Sequence, residues 1–508
     1  METVAERIAR KVNEKGGRAF YVGGYVRDRV LGIDSKDVDI EVHGIEPDSL
    51  YEILQQIGEP LSYGKSFGVY SLAGEEIDIA MPRRERAADH ENRGADAAKR
   101  PADHENHCTC SDKKTADCTS TGGSSAGVPA RGHRDFEIEI DPYIGTYEAA
   151  RRRDFTINAL MQDVLTGEII DHFGGLEDLQ NGIIRHIYAE AFVEDPLRVL
   201  RAAQFAARFG FTVAPETIEL CRGIDLSALS RERVEEELKK ALLKADKPSI
   251  FFETLRSMDQ LGIWFTELEQ TIGLEQDPVF HPEGDVWTHS MQVLDRAAAN
   301  RSNASEPYRF MLFALVHDLG KISTTERIKG RIHSYEHETK GLPVVESFAR
   351  RVTAEKGVID YLLNMVPLHM RPNVMAYSRS AVKSTNKLFD LADAPEDLIY
   401  FADADRPLFS GTEAFSGDSA FLFERLSLFN EMMEKPYVMG RDLIDAGLEP
   451  GEDFGEILDF AHKLRLAGIE KELALKQALA YARKLRRERD NRARQSESTK
   501  SDQKNAQT

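Results

Sequence analysis

The sequence predicts an α+β protein, with strands and helices in the N-terminal part and helices alone in the remainder. Three observations carry this. Residues 18 to 42 alternate apolar and polar positions around a glycine pair, and FGVYSLAGEEIDIAM at 67 to 81 reads as a hairpin. From about residue 190 the period changes: LRVLRAAQFAARF, RVEEELKKALLKA and SMQVLDRAAA each repeat apolar residues at spacings of three and four. At 508 residues the chain is too long for one ordinary core, so several domains are expected.

Composition narrows the class. A hydrophobic fraction of 41% and a charged fraction of 30% fit a water-borne globular chain, and no stretch approaches the roughly 20 apolar residues of a membrane span. Residues 1 to 15 are charged throughout and lack an apolar signal region, which predicts a cytoplasmic protein without a membrane partner. Four cysteines argue against a disulfide framework. The net charge of -20 means that any nucleic-acid contact must come from local basic patches. Residues 86 to 133 break all periodicity and read as a flexible insertion; the CxC and wider spacing of His107, Cys108, Cys110 and Cys118 is not that of a standard zinc finger.

The first chemical signal is YVGGYVRDRVLGIDSKDVDIEV. Gly23 and Gly24 let the backbone approach a phosphate, and a helix starting near Val26 supplies amide donors, with Arg27 adding charge and Asp28 completing GGYVRD. In KDVDIEV, period two aims Asp37 and Asp39 at one face of a strand. Two carboxylates about 7 Å apart repel unless a cation lies between them, and hard oxygen ligands suit Mg²⁺. Asp78, on the neighbouring hairpin, supplies a third carboxylate for a two-metal phosphoryl-transfer centre. An isolated DxD is more often a solvated turn, but GGYVRD ten residues upstream weighs against that here.

GGYVRD followed by DVD resembles the signature of class II CCA-adding enzymes and bacterial poly(A) polymerases, within the polymerase beta superfamily. RRRDFTINAL at 151 to 160 resembles that family's sugar and phosphate motif, which carries onto Arg153 and Asp154, with Asn158 alongside. EDPLRVLRAAQFAARFGF resembles the protein template for the incoming base, placing Asp195 and Arg198 three apart on one helix face and Arg201 toward the triphosphate. Cytosine and adenine both present an amino donor beside a ring-nitrogen acceptor, so a carboxylate beside an arginine accepts them and rejects guanine and uracil. Gln204 stands where many members of the family have a further arginine, with Arg208 one turn on.

The resemblance implies a polymerase-beta-like nucleotidyltransferase head with a mixed sheet, followed by an all-α neck, body, HD domain and tail. It implies transfer of C, C and A from CTP and ATP to the 3' end of tRNA, without a nucleic-acid template. The expected division is a head over 1–178, neck and body over 179–275, an HD domain over 276–410, a tRNA-binding tail over 411–486, and a tail without regular structure over 487–508. Two alternatives stay open within the chemistry: a poly(A) polymerase, disfavoured by GKSFG at 64 to 68 where bacterial members carry a GRRF-like stretch, and a CC-only or A-only enzyme. A nucleotide-sensing regulator with a dead site would be expected to lack Asp37 or Asp39.

The HD signal runs from FHPEGDVWTHSMQVL through FALVHDLGK to FADADRPLFSG. His289, His317, Asp318 and, of Asp403 and Asp405, Asp405 follow the H…HD…D pattern of metal-dependent phosphohydrolases. Imidazole with carboxylate suits a divalent transition metal, or Mg²⁺ held chiefly by the carboxylates. His333, His337 and His369 are candidates for a second metal or a phosphate contact. In the tail, RKLRRER at 483 to 489 offers a basic helix end.

Overall fold

The computed structural model describes residues 2–35, 37–62, 68–87, 136–406 and 416–505. The insertion expected at 86 to 133, with His107, Cys108, Cys110 and Cys118, lies outside the described residues but for its first two positions, as do residues 64 to 67 of GKSFG. The chain divides into two compact units, one of residues 1–230 with 254–260, the other of residues 231–253 with 261–508.

In the first unit α1 (Val4–Glu14) opens with a reciprocal capping box between Thr3 and Glu6 and buries Ala5, Ile8, Ala9 and Val12 along one stripe. Then follow β1 (Arg18–Val22), α2 (Gly24–Val30), β2 (Val38–His43), α3 (Pro47–Gln55), β3 (Pro60–Ser62), β4 (Val69–Leu72) and β5 (Ile77–Ala80). A separate ribbon pairs β6 (Arg83–Ala87) with β7 (Phe136–Ile140). After α4 (Gly145–Arg151), β8 (Met161–Asp163) and β9 (Ile169–Ile170) complete a seven-stranded sheet of order β3-β4-β5-β2-β1-β8-β9. The sheet is mixed because β2 and β5 run parallel while the other neighbours are antiparallel. Phe20, Val22, Ala150, Ala159 and Met161 form a core on it. Beyond come α5 (Gly175–Asn181), α6 (Ala189–Phe192) and α7 (Leu197–Phe209), the last burying Val199, Leu200, Ala203 and Phe205.

The second unit is helical, apart from a hairpin of Thr325–Ile328 with Arg331–Ser334. Its two-residue turn has positive φ at both Lys329 (50°) and Gly330 (82°), the backbone that matches strand twist in a tight hairpin. The helix Pro307–Val316 is apolar all round and buried from Phe310 to Val316, so it runs through the core and delivers His317 and Asp318 at its end. Val438, Leu443, Ile457, Ala461, Ala474, Ala478 and Ala482 make a further cluster near the C-terminus. The expected irregular tail from 487 is corrected: the helix Lys471–Asn505 continues through it. Arg, Glu, Gln and Lys make up ten of residues 487 to 505, and their helix propensity needs no apolar face. Among the described residues, no helix is long and apolar enough to cross a membrane.

Candidate functional site

The parallel pairing of β2 with β5 sets Asp39 and Asp78 directly opposite each other as Cα partners. Asp37 stands exposed one residue before β2. Partial burial raises the Asp39 carboxyl above the usual carboxylate range against the pull of Arg153, and Asp78 and Asp37 add to the rise. Carboxylates gathered at one edge are a donor set fitted to a hard divalent cation.

Gly23 explains how the glycine pair meets this edge. It lies at φ 64°, a conformation glycine adopts without steric cost, and a Cβ there would come within 3.0 Å of Arg153 Nη1 and 3.8 Å of Asp39 Oδ2. The guanidinium and the carboxylate therefore close over bare backbone. Arg153 is steadied from behind by Glu41, whose Oε2 accepts from Nη2 at 3.4 Å while its Oε1 pairs with His43 Nε2 at 2.9 Å. Burial opposes ionisation of Glu41, yet His43 and Arg153 hold its carboxyl down at about 2. Glu41 had no part in the motif reading. It shares the face of Asp37 and Asp39 by period two, and that is the signal that marks it.

The three motifs are joined by one buried chain of hydrogen bonds. Arg27 donates to Asp28 Oδ1 at 2.8 Å through Nε and to Asn158 Oδ1 at 2.6 Å through Nη1. Asn158 Nδ2 donates to Asp154 Oδ1 at 2.9 Å, and Asp154 Oδ2 accepts from Arg201 Nε at 2.8 Å. At the other end Arg208 donates to Asp28 Oδ2 at 3.2 Å. Phe205 and Phe209 stack beneath, with the Arg27 guanidinium 5.1 and 4.7 Å from their ring centres. Burial works against the Asp154 charge, but Arg201 and Asn158 keep its carboxyl below the usual range. Arg27 is only 3% exposed and bonded within this network, so the structure gives it a positioning place. Gln204 is buried on the same helix with Nε2 unpartnered.

The expectation that Asp195 and Arg198 share a helix face is corrected. α7 starts at Leu197, because Pro196 disfavours a helical residue before it. Asp195 instead lies before the helix, its Oδ1 accepting from Leu197 N at 3.1 Å. The Arg198 guanidinium donates to the carbonyls of Ala191 (2.6 Å) and Arg152 (3.1 Å).

In the second unit His289, His317, Asp318 and Asp405 converge. His289 Nε2 lies 3.1 Å from Asp405 Oδ1 and 3.4 Å from His317 Nε2, and His317 Nε2 lies 3.3 Å from Asp318 Oδ2. Asp403 turns away to Arg406. His337 and His369 join from the other side: their Nε2 atoms are 3.3 Å apart, and that of His337 is 3.1 Å from Asp318 Oδ1. His333 stays outside the cluster and stacks on Tyr335.

The ring orientations are set from behind. Nδ1 of His317, His337 and His369 faces the carbonyls of Ala314, Ser334 and Val366 at 2.9, 2.9 and 2.7 Å. A carbonyl only accepts, so each Nδ1 carries a proton, and in the neutral ring each Nε2 presents a lone pair inward. Lone pairs facing each other at 3.3 and 3.4 Å require a proton or a cation between them, which fits a metal centre. Ligand atoms within 4.8 Å of one another form the sets His289, His317, Asp318 and Asp318, His337, His369, so Asp318 is common to both. Glu283, which the motif reading passed over, accepts from His289 Nδ1 at 2.7 Å. Although burial lowers it, His289 is pushed up to about 9 by Asp405 and Glu283. Lys321 Nζ donates to Asp318 Oδ2 at 2.7 Å and to Gln276 at 2.6 Å.

Two glycines bring the halves of this cluster together. A Cβ on Gly320 would lie 2.0 Å from the His337 carbonyl and 2.9 Å from Gly341 Cα. Only bare backbone on both sides lets the HDLGK turn meet the segment carrying His337. The cluster opens into a cleft of about 530 Å³.

Comparison with known proteins places these features. Residues 19–185 match the poly A polymerase head domain. The chain is 33% identical over 382 residues to the multifunctional CCA protein of Actinobacillus pleuropneumoniae serotype 5b, covering 74% of this chain and 80% of that one. It is 36% identical over 337 residues to the protein of the same name from Chromobacterium violaceum, covering 66% and 69%. Among solved structures, the Thermotoga maritima CCA-adding enzyme complexed with tRNA-CCA matches with a TM-score of 0.55 at 20% identity, and a CCA-adding enzyme with ATP matches with 0.59 at 20%, each covering 94% of both chains. At that identity these structures speak to the fold.

Proposed function

Since this chain belongs to the multifunctional CCA protein family and is a CCA-adding nucleotidyltransferase, we propose that it completes the whole CCA end of tRNA, adding C, C and A from CTP and ATP. The observation that carries this reading is the edge where Asp39 and Asp78 stand in register, with Arg153 closed over Gly23. The RNA 3'-hydroxyl attacks the α-phosphorus of the nucleotide, a new P–O bond forms as the bond to pyrophosphate breaks, and the hydroxyl proton passes to solvent water. Asp37, Asp39 and Asp78 hold magnesium. When bound, the cations lower the pKa of the attacking hydroxyl and neutralise charge on the leaving oxygens. Arg153 and the amide edge at Gly23 and Gly24 orient the triphosphate, and the Arg27–Asn158–Asp154–Arg201 network fixes where they stand. Asp195 and Arg198, each anchored through backbone groups, present an acceptor and a donor to the amino edges of cytosine and adenine.

In the same reading residues 1–178 are the head, 179–275 the neck and body, 276–410 the HD domain and 411–486 the tail gripping tRNA, all working in the cytoplasm. The HD cluster holds one or two divalent metals and hydrolyses phosphoesters at RNA ends or in 2',3'-cyclic nucleotides. There, water adds to phosphorus, one ribose P–O bond breaks, and the released ribose oxygen takes a proton. The lone pairs of His289, His317, His337 and His369, turned inward on Asp318 and Asp405, favour this second activity.

The decisive experiment supplies labelled CTP and ATP separately to tRNAs truncated before the first C, the second C and the final A. CMP should enter the first two and AMP only the third. Repeated AMP addition to any of them would instead identify a poly(A) polymerase, and CMP without AMP a CC-adding enzyme.

A further inference from the structure

The cleft above the HD cluster carries a feature that neither metal binding nor hydrolysis requires. Residues 331 to 335 of the hairpin's second strand and its continuation line the cleft, and by alternation Arg331, His333 and Tyr335 share one face. The rings of His333 and Tyr335 stack at 4.8 Å with only 10° between their planes, and Tyr335 is 59% exposed. Phe280, 64% exposed, lines the same cleft. Exposed aromatic faces at a cleft mouth offer a planar ligand a stacking surface.

The backbone between mouth and metal cluster is built for two directions. Glu336 sits at φ 58° and ψ 26°, a left-handed conformation rare for a side chain of its size. On one side of it Tyr335 stands at the mouth, and on the other His337 is buried against Asp318. One strained residue thus links a stacking surface directly to a candidate ligand.

We propose that Arg331, His333 and Tyr335 form a nucleobase-reading strip, so that the cleft takes ribose phosphates that carry a base and discriminates against base-free phosphoesters. The inference rests on the reading of the cluster as a phosphohydrolase. The base lies on the Tyr335 face, Arg331 meets the ribose or an adjoining phosphate, and the ester reaches the cluster beside Lys321.

The test uses the full chain loaded with Mn²⁺, with 2',3'-cyclic AMP and glycerol 1,2-cyclic phosphate as substrates. Base stacking on an aromatic side chain is lost on alanine substitution, so Tyr335→Ala should raise KM for 2',3'-cyclic AMP about tenfold or more, with kcat changed less than about twofold. Tyr335→Phe should keep the wild-type KM, and neither variant should alter the base-free ester. Equal KM values in Tyr335→Ala and wild type, or an equal loss on both substrates, would overturn the strip. Calorimetric binding of adenosine 3'-phosphate to the same proteins separates the two layers. A wild-type protein that hydrolyses nothing defeats the phosphohydrolase reading, whereas Tyr335-dependent binding of the nucleotide upholds the strip and Tyr335-independent binding rejects it. A lower KM for a trinucleotide ending in 2',3'-cyclic phosphate than for the free cyclic nucleotide, again dependent on Tyr335, assigns the strip to RNA ends, and equal values to free nucleotides.

Discussion

In the head, the buried charges are a framework and the proposed metal ligands stand toward the rim: Arg27 is 3% and Asp154 8% exposed, while Asp37 and Asp78 are open to solvent. Around Asp318 the arrangement is reversed. Asp318, His317 and His369 are 2%, 1% and 0% exposed, so the groups that would do the chemistry are themselves the interior. The head therefore separates what holds it together from what it does, whereas the second cluster fuses them. Substitutions break or sharpen this contrast.

The largest effect belongs to Asp39→Ala. If Asp39 holds magnesium as proposed, its removal should lower CMP and AMP incorporation by about 10⁴-fold or more, several kcal/mol in the barrier. Because the Asp39 charge is disfavoured where it sits, thermal stability should stay within about 0.5 kcal/mol of wild type or rise. Incorporation that persists in purified Asp39→Ala would sink the assignment. Asp154→Asn should show the opposite signature in the same unit. It leaves Arg201 facing a neutral group inside the network and should cost about 3–5 kcal/mol in chemical denaturation. The sign of its pH dependence follows from the lowered Asp154 carboxyl. Its stabilisation is present above the unfolded value of about 3.9 and is lost as pH falls through the lower folded value. The Asn variant should therefore lose part of the wild type's acid sensitivity.

The next effect probes the fused region. Gly320→Ala drives a methyl into the His337 carbonyl and should destabilise the second unit by about 1–3 kcal/mol through overpacking. Since the same contact seats His337 beside Asp318, Mn²⁺ should raise the Tm of the wild type, reversibly with a chelator, and should not raise that of the variant. A Gly320→Ala protein that is destabilised yet keeps the full metal-induced rise would show that packing and ligation are separable here too.

The legibility of the two regions differs for the same reason. In the head, the alternation of KDVDIEV put Asp39 on a strand and the neighbouring hairpin offered Asp78, and the register of β2 with β5 sets these two opposite each other, whereas Asp37 stands before the strand. Arg27 was read as a phosphate ligand, yet its bond to Asn158 spans 131 residues, and no spacing rule reports that it is buried. Asp195 was placed on a helix by its three-residue distance from Arg198, and Pro196, visible in the sequence, set the boundary instead. In the second unit, the apolar flanks of VHDLGK already pointed to a charge inside a core. What they did not carry was which distant histidines face it: His337 and His369 turn in and His333 stacks on Tyr335, with the turn at Glu336 separating His333 from His337. The insertion and its Cys and His residues stay with the expectations drawn from sequence.

Glu41 gives the smallest effect and the finest cut between framework and chemistry. It belongs to β2 with Asp39 and is buried like the framework, but its partner Arg153 reaches the rim over Gly23. Glu41→Gln preserves the shape and an acceptor while removing the charge that holds the guanidinium back. Arg153 should then sit less firmly where a triphosphate is met, and KM for CTP and ATP should rise about tenfold, worth about 1.4 kcal/mol, with kcat changed less than about threefold. If kcat falls instead and KM is unmoved, Glu41 acts through the ionisation of Asp39 and belongs with the reactive carboxylates. If stability falls while both constants hold, it belongs with Asp154. Because the three outcomes differ in kind, this one substitution locates the line between the two roles inside a single strand.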